Sequence, residues 1–173
     1  MTSRHGVLAR YNACANHKLS AAAGALPDDQ YRADRGAFFK SLHGTLNHLL
    51  LTDRLWMGRF TGQPQGPTRL DTILYDKFDA LHAARQAEDT RIISFVDGLD
   101  AAALAGTFSY QRATARETYA QELGGALDHL FNHQTHHRGQ AHAILTGLGA
   151  EAPSLDLAGF YREVGFGGLI RIS

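Results

Sequence analysis

Two histidines spaced four residues apart are the feature of this sequence that most directly indicates chemistry. His133 and His137 lie in the histidine-rich segment His129–Gln140. On an α-helix, a separation of four residues corresponds to about 40° of rotation and roughly 6 Å of rise. Two imidazoles at this spacing can chelate one metal ion. Two ligands are too few for a firm site, so we expect a third from a facing helix, where His48 is a candidate.

His129 is an alternative partner for His133, because these two residues are also four apart. Its side chain should point further from the centre of the apolar seam than that of His137, which favours His137 without excluding His129. Gln134 and His137 occupy seam positions where packing alone would favour leucine. A buried polar group without a partner costs roughly 1–3 kcal/mol. The imidazole of His137 therefore needs a partner, and a metal ion is one possibility.

The composition restricts the classes of function. Lys plus Arg and Asp plus Glu each total 17, and no dense basic cluster occurs, so we expect neither nucleic acid nor a membrane surface as a partner. Cys14 is the single cysteine, which excludes an internal disulfide and a thiolate-rich metal site. No apolar segment is long enough to span a bilayer and the first residues lack a signal-peptide core, so we expect a cytoplasmic protein.

Hydrophobic periodicity predicts an all-α fold built from four long helices. The predicted helices cover about residues 3–24, 36–60, 72–99 and 118–148, with a short helix at about 157–164. Alternating polar and aromatic residues at 107–110 and 116–119 predict a short β-hairpin before the last long helix. Thr118 and Gln121 fit a capping box that would open that helix. Each apolar stripe can be buried only against the others, so we expect a four-helix bundle forming a single domain over residues 1–173.

Other polar residues on the predicted helices could support a metal site. Asp53 follows His48 by five residues and is expected to face inward. Together with Gln134 and Asn12, it is a candidate for hydrogen bonds to the metal ligands or for contacts with a substrate. Arg85 and Glu88, three residues apart on one helix, could also supply such contacts, but a partly exposed ion pair between them is the favoured interpretation.

Three segments resemble motifs of the DinB/YfiT-like family, whose members are regarded as metalloproteins. The histidine-rich segment 129–140 reads HLFNHQTHHRGQ, and the predicted second helix contains FFKSLHGTLNHLL at 38–50. The first helix contains YNACAN at 11–16, with Cys14 where the family commonly has an aromatic residue. The likeness extends over nearly the whole chain to about residue 148. Two long motifs in the right order are much more specific than an isolated histidine pair.

This resemblance implies an up-down-down-up four-helix bundle whose metal ligands are His48, His133 and His137. It implies nickel, zinc or iron as the bound ion and a homodimer as the assembly. Characterised relatives include thiol-dependent transferases and isomerases that use mycothiol, bacillithiol or glutathione, while most members have no assigned reaction. The family name records induction by DNA damage, which implies a stress response and is not evidence of contact with DNA.

A site of three imidazoles leaves at least one coordination position open, as in catalytic metal sites. The leading hypothesis is that the metal activates a low-molecular-weight thiol, which then attacks a small electrophile in an S-transferase reaction. A metal-activated water that hydrolyses a substrate is an alternative. A bundle that binds metal or a small ligand without catalysis is another. The sequence does not choose between these three.

Overall fold

Seven helices and one two-stranded sheet form the part of this computed structural model that we describe, residues 3–63, 69–111 and 117–166. The helices are α1 (Arg4–Gly24), α2 (Asp28–Arg32), α3 (Leu42–Thr61), α4 (Phe78–Asp97), α5 (Ala101–Ala105), α6 (Leu123–Gly147) and α7 (Leu157–Val164). The strands are β1 (Thr107–Gln111) and β2 (Thr118–Glu122), which pair antiparallel. None of the described helices is long and apolar enough to cross a membrane.

The four long helices, α1, α3, α4 and α6, run up, down, down and up, as predicted. Contacts between their side chains show the directions: α1 is antiparallel to α4, α3 is antiparallel to α6, and α3 is parallel to α4. The pairs Arg10–Asp97 and Gly24–Phe78 join α1 to α4. The pairs His48–His137 and Trp56–His129 join α3 to α6. The pairs Asp53–Arg85 and Phe60–Phe95 join α3 to α4. The bundle therefore has α1 beside α4 on one side and α3 beside α6 on the opposite side.

The apolar core is divided along the bundle axis. One cluster joins the end of α1 to the start of α3 and includes Leu19, Leu42 and Leu145, whereas a second at the other end includes Trp56 and Leu127. Buried polar side chains from all four long helices lie between these clusters. The apolar stripes predicted from the sequence are thus interrupted at one level of the bundle.

Three of the long helices begin later than predicted, and for two of them, α3 and α4, the periodicity placed the start too early. The second long helix was expected from residue 36, but α3 begins at Leu42, because the Ser41 hydroxyl accepts a hydrogen bond from the Gly44 amide and caps the helix. Residues 37–40 form a tight turn instead, with Lys40 at a φ of 66°. The helix expected from residue 72 begins at Phe78, since residues 69–77 form an irregular segment along α3.

The hairpin is longer than predicted, and this changes the start of α6. Thr118 and Gln121 lie in β2, so the predicted capping box is wrong and α6 begins at Leu123. Residue 116 of the predicted second strand lies outside the described residues. The short helices α2 and α5 were not predicted, whereas α7 has the predicted bounds.

Candidate metal centre

The imidazoles of His48, His133 and His137 converge between α3 and α6. His48 is 2% exposed, and the other two histidines project from consecutive turns of α6. One donor atom of each residue lies within 4.8 Å of those of the other two. The ring centroid of His48 is 5.3 Å from that of His133 and 4.5 Å from that of His137, and the last two are 4.4 Å apart. A tetrahedral ion with bonds of about 2.1 Å holds imidazole centroids about 5 Å apart, so the three rings fit one divalent ion.

Two of the three rings are oriented by oxygen atoms outside the cluster. His48 Nδ1 lies 2.8 Å from the carbonyl oxygen of Leu70, and His137 Nδ1 lies 2.8 Å from Oε1 of Gln140. These oxygens can only accept, so we infer that each Nδ1 carries the proton and that each Nε2 has a free lone pair. His48 Nε2 is buried and has no hydrogen-bond partner within the described chain. A metal ion would satisfy this nitrogen.

Burial keeps the three imidazoles neutral. Loss of hydration is the main reason that the pKa of His48 is lowered to about 4. Loss of hydration and, to a smaller extent, the neighbouring histidines together lower the pKa of His133 to about 3. The pKa of His137 is also lowered, again mainly by burial. Metal ligation requires neutral imidazole. At neutral pH the three rings are therefore in the protonation state that a metal site needs.

A turn before α3 covers one side of the cluster. The ring of Phe39 stacks on His48 with centroids 3.7 Å apart and a 19° angle between planes, and it meets His137 edge-on at 5.4 Å. The backbone of this turn lies so close to Gly44 that an added Cβ would overlap the carbonyl oxygen of Phe39. Glycine at 44 thus permits the turn that places an aromatic ring against His48. Periodicity did not identify this role, because Phe38 and Phe39 extend the apolar stripe of the helix.

Comparison with known proteins identifies the family. The sequence model of the DinB family matches residues 1–164. The chain belongs to the DinB family. A solved structure, described as a DinB-like protein from Bacillus cereus ATCC 10987, superposes with a TM-score of 0.62 at 15% sequence identity, covering 81% of this chain and 89% of that one. At this identity the likeness shows the fold alone. No curated protein matches the sequence.

The other histidines of α6 in this DinB-family chain lie outside the cluster. His129 is exposed, and its ring centroid is 5.9 Å from His133 but 5.0 Å from Trp56. His136 is also exposed and lies 3.2 Å from the side chain of Gln140. Of the two partners that spacing left open for His133, the structure brings His137 together with His48.

Asp53 and Gln134 are buried, but their polar contacts lead away from the three histidines. The Gln134 amide donates to Oδ1 of Asp53 at 2.6 Å and to the carbonyl oxygen of Leu49 at 3.0 Å. Asp53 Oδ2 lies 2.7 Å from Nη1 of Arg85, which is ion-pair distance without hydrogen-bond alignment. Loss of hydration raises the pKa of Asp53 to about 7 against the attraction of Arg85. A role for Asp53 or Gln134 at the metal stays a prediction.

The expected exposed pair of Arg85 and Glu88 is wrong, because both residues are buried and their partners are different ones. Arg85 contacts Asp53 and also lies 3.0 Å from Asp89, four residues later on α4. Burial lowers the pKa of Arg85, but the surrounding carboxylates outweigh this effect and raise it overall. Glu88 contacts Arg91 at 3.0 Å instead. The ion pair between Arg85 and Asp53 could not be predicted from the sequence, because Asp53 lies on another helix.

Asn12 belongs to the same polar layer and not to the histidine cluster. Its side-chain oxygen accepts a hydrogen bond from Arg138, which is 1% exposed and lies near Asn16 Oδ1 at 3.3 Å. Asn16 in turn donates to Asp89 at 2.9 Å. The layer therefore continues from Gln134 through Asp53, Arg85, Asp89 and Asn16 to Arg138 and Asn12. It joins α1, α3, α4 and α6 at one level.

A separate groove of about 220 Å³ lies between α1 and α4. His17, His82, Arg85 and Asp89 are among its lining residues. This face is opposite the α3–α6 side that carries the histidine cluster. A ligand in the groove would therefore not reach a metal held by that cluster.

Proposed function

We propose that this DinB-family protein binds a divalent transition-metal ion through His48, His133 and His137 and uses it to activate a small thiol. The observation that supports this proposal is the convergence of three neutral imidazoles, one of which has a buried nitrogen without a partner. Among the described residues, the cluster consists of these three histidines, without a fourth donor from a His, Cys, Asp or Glu side chain. A four-coordinate ion would then keep one position for an exogenous ligand.

The chemistry that such an ion supplies is Lewis acidity, which deprotonates a coordinated thiol at neutral pH. In the proposed S-transfer, the sulfur forms a bond to an electrophilic carbon. The bond from that carbon to its leaving group breaks, the leaving group takes the electron pair, and the thiol proton passes to solvent. Leu70 and Gln140 hold His48 and His137 in orientation, while Phe39 excludes water from one face of His48.

Elemental analysis of protein purified without a histidine tag tests the metal site. Wild-type protein should contain about one nickel, zinc or iron ion per chain, and His137→Ala should have lost it. His142→Ala is a matched control, because it removes an imidazole from the same helix outside the cluster. Equal metal content in wild type and His137→Ala would contradict the proposed site.

The reaction is tested by supplying metal-loaded protein with glutathione, mycothiol or bacillithiol and an activated aryl halide. Loss of the free thiol should depend on His137. A parallel measurement with an activated ester separates thiol transfer from hydrolysis. Metal binding without turnover of either kind would instead support a non-catalytic metal-binding protein. Homodimer formation, which the family resemblance implies, is tested separately by light scattering.

A further inference from the structure

Arg59 is a half-buried cation on α3 with no carboxylate at ion-pair distance in the described part of the chain. Its guanidinium lies between the rings of Trp56 and Tyr110, with its carbon 4.5 Å from each centroid. Nη2 donates one hydrogen bond, at 3.2 Å, to the carbonyl oxygen of Gln111. The aromatic rings and this bond hold the guanidinium in place while leaving most of its five N–H donors available.

Other partly buried arginines nearby have anionic partners. Arg54 lies 3.8 Å and Arg91 lies 3.0 Å from carboxylate oxygens of Glu88. Burial lowers the pKa of Arg59, but a guanidinium remains protonated at neutral pH. A desolvated positive charge without a counter-ion favours binding of an anion, and charge-assisted hydrogen bonds to a carboxylate are among the strongest available.

A row of side chains connects Arg59 to the candidate metal centre. His129 lies between His133 and Trp56, and the successive separations are 5.9, 5.0 and 4.5 Å. The guanidinium therefore lies no more than about 15 Å from the ring of His133. An extended peptide of three to four residues spans about 10–14 Å, so a small peptide-like ligand could contact both places.

We propose that Arg59 binds a carboxylate of a small peptide-like thiol whose sulfur lies at the histidine cluster. The location of the sulfur rests on the proposed function, whereas binding of the carboxylate by Arg59 does not. Trp56 and Tyr110 hold the guanidinium plane, and the exposed His129 lies along the route between the two ends of the ligand. Arg59 would thus select anionic thiols over neutral ones.

Trp56 provides a local probe, because it is the only tryptophan in the chain and contacts Arg59. Its fluorescence is followed while zinc-loaded protein is titrated with glutathione, or with succinate, which has carboxylates but no thiol, at constant ionic strength. Arg59→Gln should weaken binding of both ligands at least tenfold. Arg59→Lys keeps the charge but loses the planar group that stacks between the rings, so it should recover only part of the affinity. Arg10→Gln is the control, because Arg10 is paired with Asp97 away from this surface.

The same titrations in His137→Ala separate this inference from the proposed function. If the sulfur binds at the histidine cluster, His137→Ala weakens glutathione but leaves Arg59-dependent binding of succinate intact. If His137→Ala leaves both affinities unchanged while Arg59→Gln lowers both, the carboxylate site is supported and the thiol function is wrong. If Arg59→Gln binds both ligands as tightly as wild type, Arg59 merely fastens the hairpin to α3 and the inference is overturned.

Discussion

Acidification of the metal-free protein should destabilise it through the partly buried ring of His133. The pKa of this imidazole is about 3 in the folded protein, against an ordinary value of 6.5. A folded-state pKa below the unfolded one means that protons bind preferentially to the unfolded chain, so stability is lost as the pH falls from about 6.5 towards about 3. About pH 4.5 is two pH units below the ordinary pKa, and each unit corresponds to about 1.36 kcal/mol. Keeping the ring neutral at this pH therefore costs about 2.7 kcal/mol.

The measurement is urea unfolding of wild type and His133→Gln in the presence of a chelator, at about pH 7.5 and about pH 4.5. Glutamine stays neutral at both pH values, so the variant should become more stable relative to wild type by about 2–3 kcal/mol on acidification. The comparison with a variant is needed because titration of Asp53 changes the free energy of unfolding with pH in the opposite direction. Its pKa is raised to about 7, so its contribution is largest below about pH 4 and is lost as the pH rises through about 7.

This reasoning would be refuted if the free energies of unfolding of wild type and His133→Gln differed by the same amount at both pH values. It would mean that the ring is hydrated or can turn out to solvent, and that the three histidines do not form a desolvated cluster. His142→Gln controls for loss of an imidazole elsewhere on α6. The pH-dependent change for His133→Gln should exceed the change for that control.

Three substitutions test the packing around the site. Gly44→Ala should cost about 2 kcal/mol or more in urea unfolding, because the new methyl group overlaps the backbone of Phe39, and it should also weaken metal binding. In Gly139→Ala, the new methyl group meets nothing within 4 Å on an exposed turn of α6, so the variant should be more stable by about 0.5–1 kcal/mol. If alanine were tolerated equally well at 44 and at 139, the position of the turn at residues 37–40 would be contradicted. Asn12→Ala removes an acceptor from the buried Arg138 and should cost about 1–3 kcal/mol, whereas a loss within experimental error would show that water replaces the amide.

The long helices were predictable because their apolar stripes are regular, but the starting points of α3, α4 and α6 were not. Phe38 and Phe39 continue the stripe of α3 although they belong to a turn in which Lys40 has a left-handed conformation. Ser41 followed by Gly44 was the available signal, since a serine side chain can cap the amide three residues later. Thr118 could likewise either belong to a strand or cap a helix. It belongs to β2, because it pairs with Gln111 of β1.

The spacing of histidines on α6 predicted a chelating pair but could not rank His137 above His129 decisively or bring in His48. Those choices depend on how α3 and α6 align, and only the family motifs carried that information in the sequence. The buried partners of Arg85 and Arg138 were unpredictable for the same reason. Arg138 and Asn12 are 126 residues apart, so their contact depends on the register of two helices that no local pattern specifies.

The buried polar layer has a consequence for how this sequence can vary. Its members are Asn12, Asn16, Asp53, Arg85, Asp89, Gln134 and Arg138, and each long helix contributes at least one. Replacing one partner leaves a buried charge or amide uncompensated, which costs more than replacing the whole set with apolar side chains. Among DinB-family relatives, these seven positions should therefore change in concert, and a homologue with leucine at one of them should carry compensating changes on the other helices.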